Sequence, residues 1–195
     1  DVFYVGVDNP VSINVPMVDS RDVVVQFESA SGQGKVTGTI TPDSESRAPG
    51  NYIVKVPSQG RTTLNIYSKA DGKMQLVGKK EYRCKNIPTP VIEIGNVRGG
   101  GPISKEELLA AGGFRVRPPD FDFQIPPIRV NSFALEGRDA RGEYQIITGT
   151  SNRFTPEMLE FIRSVRSGQR ISIIDARAVT PDGKQHNLSA NLIIR

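Results

Sequence analysis

Through residue 85 the chain alternates apolar and polar positions with a period of two. Val11, Ile13 and Val15 fall on one side of such a run, as do Val23, Val25 and Phe27. Val36 and Ile40 flank Gly38; then come Tyr52, Val54 and Val56, Leu64 and Ile66, Met74 and Leu76, and last Tyr82 and Cys84. Successive strand side chains point to opposite faces, so each run reads as a half-buried strand. Asp8-Asn9-Pro10, Ser31-Gly32-Gln33-Gly34, Ala48-Pro49-Gly50 and Asp71-Gly72 punctuate the runs, the last being a short-hairpin signal. Six or seven short strands spaced about 8–12 residues apart, with no helical stretch, predict an immunoglobulin-like β-sandwich over residues 1–86. The Cys–Trp–Cys core of antibody domains is missing, since the chain has one Cys and no Trp, so the prediction is of architecture only.

Pro88-Thr89-Pro90 then removes backbone donors and biases its neighbours to extended geometry, which predicts a stiff linker over residues 87–91. Residues 92–195 read as a second β-rich domain with one or two short helices. Val91 to Val97 has strand character and ends at Gly99-Gly100-Gly101-Pro102. Ser104 and Glu107 form a capping box before a short helix through Leu108, Leu109 and Ala111, closed by Gly112-Gly113. Phe121, Phe123 and Ile125 alternate with Asp120, Asp122 and Gln124, a strand signature; Val130, Phe133 and Leu135 predict a bulged strand, and Tyr144 to Ile147 the next. Thr155-Pro156-Glu157 opens a second helix whose stripe is Met158, Leu159, Phe161, Ile162 and Val165, with Gly168 as its stop. Ile171 to Val179 and Leu188 to Ile194, joined across Pro181-Asp182-Gly183, are the last strands. The fold class expected is mostly β: tandem β-sandwich-type domains, the first Ig-like.

Charge changes this picture little, but its chemistry does. Net charge is +4, split evenly: residues 1–90 hold 11 basic and 9 acidic side chains, residues 91–195 hold 14 and 12. The charges interleave and the longest basic pair, Lys79-Lys80, is followed at once by Glu81, which argues against nucleic-acid binding. The first half uses seven Lys and four Arg, the second two Lys and twelve Arg. Arg makes forked planar contacts and is enriched at protein interfaces, so the second half points to a partner surface. No stretch approaches the roughly 18 apolar residues of a membrane span. No leader is visible before Asp1, so the chain reads as a fragment or mature portion whose anchor lies elsewhere.

The parts for catalysis are few. Gly99-Gly100-Gly101 is followed by Pro102 and not by the Lys-Ser/Thr of a phosphate loop, so it reads as a mobile or tightly turned loop. Asp120 and Asp122, two apart on a strand, form the solvated side opposite Phe121 and Phe123 more simply than a catalytic pair or a cation site. His186 follows the Asp182-Gly183 turn and reads as a surface-loop residue; with Asp175 elsewhere in the unit, it lacks a Gly-x-Ser-x-Gly elbow and a second His or Cys to complete a metal site. Asn187-Leu188-Ser189 matches the glycosylation acceptor pattern weakly. Cys84 shares a face with Tyr82 and reads as a small core residue. No catalytic, cofactor-binding or metal-ligating residue is assigned, and no cofactor is expected.

Ile94-Gly95 leading to Gly99-Gly100-Gly101-Pro102-Ile103-Ser104-Lys105-Glu106-Glu107-Leu108 resembles the start of the C-terminal domain of the GldM/PorM family. So do Asp120-Phe121-Asp122-Phe123, Val130-Asn131-Ser132-Phe133, Asn152-Arg153-Phe154-Thr155-Pro156-Glu157, Ile171 to Ala178 and Pro181-Asp182-Gly183. Gly6-Val7-Asp8-Asn9-Pro10 with Val11-Ser12-Ile13 is similar to the opening of that family's preceding domain. The resemblance implies the last two periplasmic domains of a core component of the type IX secretion and gliding machinery. Such a protein is anchored in the inner membrane, where it pairs with GldL/PorL as a proton-driven motor. Its periplasmic arm is a homodimer whose far end meets a ring of GldK/PorK and GldN/PorN. The expected function is accordingly non-enzymatic and force-transmitting. Two other readings stand beside it: an Ig-like extracellular adhesion or carbohydrate-binding module, for which 7% aromatic content offers few exposed platforms, and an enzyme built on Asp120, Asp122 and His186.

Overall fold

Among the described residues, the alternating runs of the first unit fold into seven strands in two sheets. In the computed structural model, which describes residues 1–29, 31–46, 48–70, 72–121 and 124–195, the chain divides into Asp1–Ile87 and Pro88–Arg195. The strands of the first unit are β1 (Val2–Tyr4), β2 (Asn9–Ser12), β3 (Val23–Phe27), β4 (Thr39–Pro42), β5 (Asn51–Lys55), β6 (Gly60–Ala70) and β7 (Lys73–Lys85). One sheet has the order β1-β7-β6-β3 and the other β2-β5-β4. Neighbours are antiparallel except β1, which runs parallel to β7 with Val2, Phe3 and Tyr4 opposite Arg83, Cys84 and Lys85. Lettered A to G, the sheets read A-G-F-C and B-E-D, an immunoglobulin-type Greek key with its first strand laid against its last.

Phe3, Val11, Val25, Val54, Leu64 and Tyr82 fill the space between the sheets, and the Phe3 ring stacks on Tyr82 with centroids 3.9 Å apart. Cys84 is buried among them as expected, and burial pushes its thiol pKa up. Asn9 is the polar exception. It is 1% exposed, accepts from the Tyr4 backbone N–H at 2.8 Å and directs its amide nitrogen at the carbonyls of Tyr4, Val7 and Val54 at 3.0, 3.1 and 3.1 Å. One side chain thus fastens β1 of one sheet to β5 of the other.

Met74–Leu76 and Tyr82–Cys84, expected as separate strands, belong to the single 13-residue β7. A bulge sets Val77 between the pairs Ile66–Gly78 and Tyr67–Leu76. Met74, Leu76 and Val77 are exposed, because strands of four or five residues in the opposite sheet do not cover a hairpin of 11 and 13. Asp71 of the expected turn lies outside the described residues.

The second unit contains β8 (Val91–Ile94), β9 (Val97–Arg98), β10 (Gly100–Ile103), α1 (Lys105–Ala111), β11 (Arg115–Arg117), β12 (Arg129–Arg138), β13 (Tyr144–Gly149), α2 (Pro156–Ser164), β14 (Arg170–Val179) and β15 (Gln185–Ile194). A five-stranded sheet, β10-β15-β14-β12-β13, and a three-stranded one, β11-β8-β9, enclose its core with the two helices. Leu108 of α1 and Met158, Phe161 and Ile162 of α2 are buried with Leu135, Ile173 and Leu192 of the larger sheet. Thr155 caps α2 by accepting from the Met158 N–H at 3.3 Å. The helix ends at Ser164, ahead of Gly168, because Val165 turns to extended geometry to bury its side chain. No described helix is long and apolar enough to cross a membrane.

Three expectations change here. Val91 to Val97 is a hairpin, β8 and β9, turned at Gly95-Asn96. The glycine run is no mobile loop: Gly100 and Gly101 lie in β10, parallel to β15. A Cβ on Gly100 would stand 2.6 Å from the Asn191 carbonyl oxygen, so this pairing requires glycine. Residues 119–121 and 124–128 form a turn and irregular chain in place of the expected strand, as four prolines around them (Pro118, Pro119, Pro126 and Pro127) withhold ladder donors. Asp122 and Phe123 lie outside the described residues.

Candidate functional site

The titratable side chains singled out by the sequence do not converge. Asp120 sits in a turn at φ 49°, its side chain 97% exposed and 3.7 Å from Arg98 Nη1, and so is not on a strand face; Asp122, its expected companion, lies outside the described residues. His186 lies on β15 and not in a surface loop; it is half-buried, with Nε2 3.1 Å from the Thr180 hydroxyl. Thr180 also bonds Asp182 and the Lys184 carbonyl, so His186 closes the turn between the last two strands. Asp175, at φ 50° beside the β14 bulge, accepts instead from Asn187 Nδ2 at 3.0 Å. Asp175 and His186 therefore serve different partners, and no relay links them. Among the described residues no group of three or more His, Cys, Asp and Glu gathers as a metal site.

What does converge is arginine. On the three-stranded sheet Ile92, Ile94 and Val116 face the core, which turns the alternate residues outward. The register sets Arg115 opposite Glu93, Glu93 opposite Arg98, and Arg117 opposite Val91. Arg98 Nε bonds Glu93 Oε1 at 2.8 Å, and the Glu93 side chain is only 18% exposed. The segment after β13 brings up a fourth guanidinium. Arg153 pairs in a bridge with Gly113, fixed by Phe114 N–H to Asn152 O at 3.0 Å, Phe154 N–H to Gly112 O at 3.1 Å and Asn152 Nδ2 to Phe114 O at 2.7 Å.

Between these elements lies a cleft of about 510 Å³ whose lining includes Glu93, Asn96, Phe114, Arg115, Asn152 and Arg153. Its far wall is held by Glu107, whose carboxylate accepts from the Asn96 N–H at 3.0 Å. That bond takes Glu107 away from the reciprocal half of the expected capping box, leaving Ser104 to cap α1 alone at 3.1 Å. A second cavity of about 780 Å³ shares Arg115 and Asn152 and is lined further by Arg117, Phe121, Ile125 and Pro127. The cleft is concave, and the charged side chains of its lining are Arg115, Arg153 and Glu93. Sequence reasoning found the excess of Arg in this half but not this cluster. The one local signal is Arg115-Val116-Arg117, a polar–apolar alternation too short to stand out, and Arg153 joins it only through the fold.

Comparison with known proteins matches the whole chain. The family model described as the GldM third domain covers residues 1–85, and that of the GldM C-terminal domain covers residues 88–195. No curated protein matches the chain. Among solved structures, the fibronectin(III)-like modules of Clostridium thermocellum CbhA align over 100% of this chain and 89% of that one, at 15% identity and a TM-score of 0.28. At that score the alignment adds nothing to the fold read from the sheets themselves. Matched end to end by two consecutive domains, the chain belongs to the GldM family, whose members are components of the type IX secretion and gliding machinery.

Proposed function

We propose that this chain is a non-enzymatic periplasmic segment that carries force from an inner-membrane, proton-driven motor to a ring at the outer membrane. In this reading it acts as a homodimer, reaches GldL/PorL through a membrane anchor elsewhere in the protein, and meets GldK/PorK and GldN/PorN through its second unit. The engagement of His186 in a turn and of Asp175 in a strand tie supports a non-catalytic role.

The observation that carries the reading is the parallel pairing of β1 with β7, the first and last strands of the first unit. Tension entering at Asp1 and leaving beyond Lys85 pulls the start of one strand against the end of its parallel neighbour. The bonds between them, including Arg83 N–H to Asp1 O at 3.0 Å and Val5 N–H to Lys85 O at 2.9 Å, are then loaded together and not one after another. A β-unit loaded this way transmits tension without extending.

The test is to hold the chain by its two ends in a single-molecule force experiment. The first unit should break in one cooperative event that releases about 300 Å of contour, at roughly 3.4 Å per residue. Gradual extension at the low force of a peeling hairpin would overturn the force-bearing role. The partner half of the reading is tested by mixing the chain with purified ring proteins and measuring mass by light scattering, where a heavier complex is expected.

A further inference from the structure

We propose that the arginine face of the three-stranded sheet β11-β8-β9, with its adjoining cleft, is the docking site for an acidic polypeptide segment of a partner protein. The proposal rests on the reading that the second unit grips a neighbour, and it names where and by what chemistry.

Among the described residues, four guanidiniums, from Arg98, Arg115, Arg117 and Arg153, meet three carboxylates, Glu93, Asp120 and, at the far wall of the cleft, Glu107. Glu93 and Asp120 are engaged by Arg98, and Glu107 by the Asn96 N–H. Among the described residues, the side chains of Arg115, Arg117 and Arg153 have neither an ion pair nor a hydrogen bond, and all three are exposed. Positive charges gathered in a concave site repel one another and concentrate anions in front of it. A guanidinium presents a forked set of donors that fits a carboxylate in two parallel bonds. The spacing suits an extended peptide: outward residues two apart on β11 stand about 7 Å apart, the repeat of alternate side chains in an extended ligand. Arg115 and Arg117 therefore match acidic residues at alternate positions. Asn152 in the cleft offers polar surface to the peptide itself.

Asp120 gives the site a built-in competitor. Its carboxylate approaches Arg98 from a turn while remaining almost wholly exposed, so an incoming acid contends with it for the same guanidinium. Removing that charge should favour the ligand. Asparagine tolerates the left-handed geometry at this position, which makes Asp120→Asn a conservative change.

The experiment titrates the intact chain into a fluorescein-labelled ten-residue peptide of alternating Glu and Ser, read by fluorescence polarisation at low salt. The controls are its Lys-for-Glu counterpart and a single-stranded oligothymidylate of equal charge. The acidic peptide should bind and the basic one should not. Arg115→Glu with Arg153→Glu should weaken binding about ten-fold or more, as two exposed attractions become repulsions. Arg141→Glu with Arg166→Glu, an equal charge change at exposed sites on other elements, should leave it within about two-fold, and D120N should tighten it about two-fold. Binding should also fall as salt rises.

Equal binding of both peptides, or a double reversal at Arg115 and Arg153 without effect, overturns the proposal. So does oligothymidylate binding with the same loss, which would make the face a general anion surface. Light scattering with the ring proteins separates this outcome from the wider reading. A ring complex that survives the reversal refutes the face and keeps the partner, while acidic-peptide binding without a ring complex keeps the face and refutes the partner.

Discussion

Asn9 is where a single atom-level change should tell most about the first unit. Its Oδ1 accepts one backbone N–H and its two amide hydrogens are divided among three carbonyls, all at 2.8 to 3.1 Å. Asn9→Ala removes every one of these partners and puts nothing in their place. The Val7 and Val54 carbonyls are bonded to Asn9 in fully buried surroundings, while the Tyr4 groups are only part-buried. An orphaned buried polar group costs about 1–3 kcal/mol, so with the Tyr4 groups discounted for water access the loss is about 3–5 kcal/mol. Domains of this size have roughly 5–15 kcal/mol in all, and at a urea dependence of about 1–2 kcal/mol per molar the midpoint should fall by about 2 M or more.

The assay is urea unfolding of the whole chain followed by tyrosine fluorescence. The chain has no Trp, and four of its five tyrosines (Tyr4, Tyr52, Tyr67 and Tyr82) lie in the first unit, so the signal reports chiefly on it. The control is Asp8→Ala, next door in sequence, whose ion pair with Lys55 is 61% exposed on both sides and contributes at most about 1 kcal/mol. Asn9→Asp keeps the acceptor but turns a carboxylate toward three carbonyls, so at neutral pH it should be at least as damaging as alanine and should partly recover in acid. If Asn9→Ala moves the midpoint no further than Asp8→Ala, the fastening role is wrong.

Two further outcomes follow from other parts of the molecule. Gly100→Ala should destabilise the second unit by about 3 kcal/mol, because its Cβ meets Asn191 backbone at 2.6 Å, whereas Gly99→Ala, at φ 73° in open space, should cost only about 1 kcal/mol; calorimetry that ranks them equal would refute the close-approach argument. The Arg21 side chain, and after it the Arg21 backbone N–H, hold the Asp19 carboxyl at about 2, below its ordinary 3.8, so whatever this tie contributes is complete above the ordinary value and lost as pH falls through about 2. A carbon-detected NMR titration should show that midpoint, and Arg21→Ala should raise it only part of the way because the backbone bond remains; an unchanged midpoint would contradict the assigned cause.

What the sequence made legible was the part of the fold that local pattern determines. Val23–Phe27 alternates in register with its burial, and the Ser104 and Thr155 caps mark both helix starts. Elements that depend on a distant partner were not legible. The strand β10 is Gly-Gly-Pro-Ile, with little strand propensity of its own, and exists because β15, some ninety residues on, lies beside it. The apolar alternation at Met74 and Leu76 reads as core, yet its side chains stay exposed because the strands that would cover them end too soon. Asn9 looked like one more turn residue in a Gly-Val-Asp-Asn-Pro run, since nothing in its neighbours announces the Val54 carbonyl 45 positions away. The arginine cluster was hidden for the same reason: Arg98, Arg115 and Arg153 come from three separate segments.

The two halves carry the same net charge of +2 but apply it in opposite ways. In the first unit β1 pairs only with Arg83–Lys85, so the stretch of β7 before it has an open edge, with Met74, Leu76 and Val77 exposed beside it. An open apolar edge invites a second chain to add a strand. Here Lys73, Lys79 and Lys80 occupy that stretch, and the bulge at Val77 breaks its regular ladder. Lysine is a strongly hydrated point charge that resists burial, so this edge is guarded against pairing. Glu28 and Asp1 already satisfy Lys79 and Lys80, which leaves them little to offer an acidic partner. In the second unit Arg115 and Arg117 on the small sheet, with Arg153 beside them, are exposed arginines that have no acid of their own among the described residues, beside a cleft. A charge that repels neighbours is satisfied internally and strongly hydrated; a charge that recruits one is unsatisfied and weakly hydrated. By that criterion the open edge of the first unit is guarded, and the arginine face of the second unit is the surface expected to recruit the partner we propose.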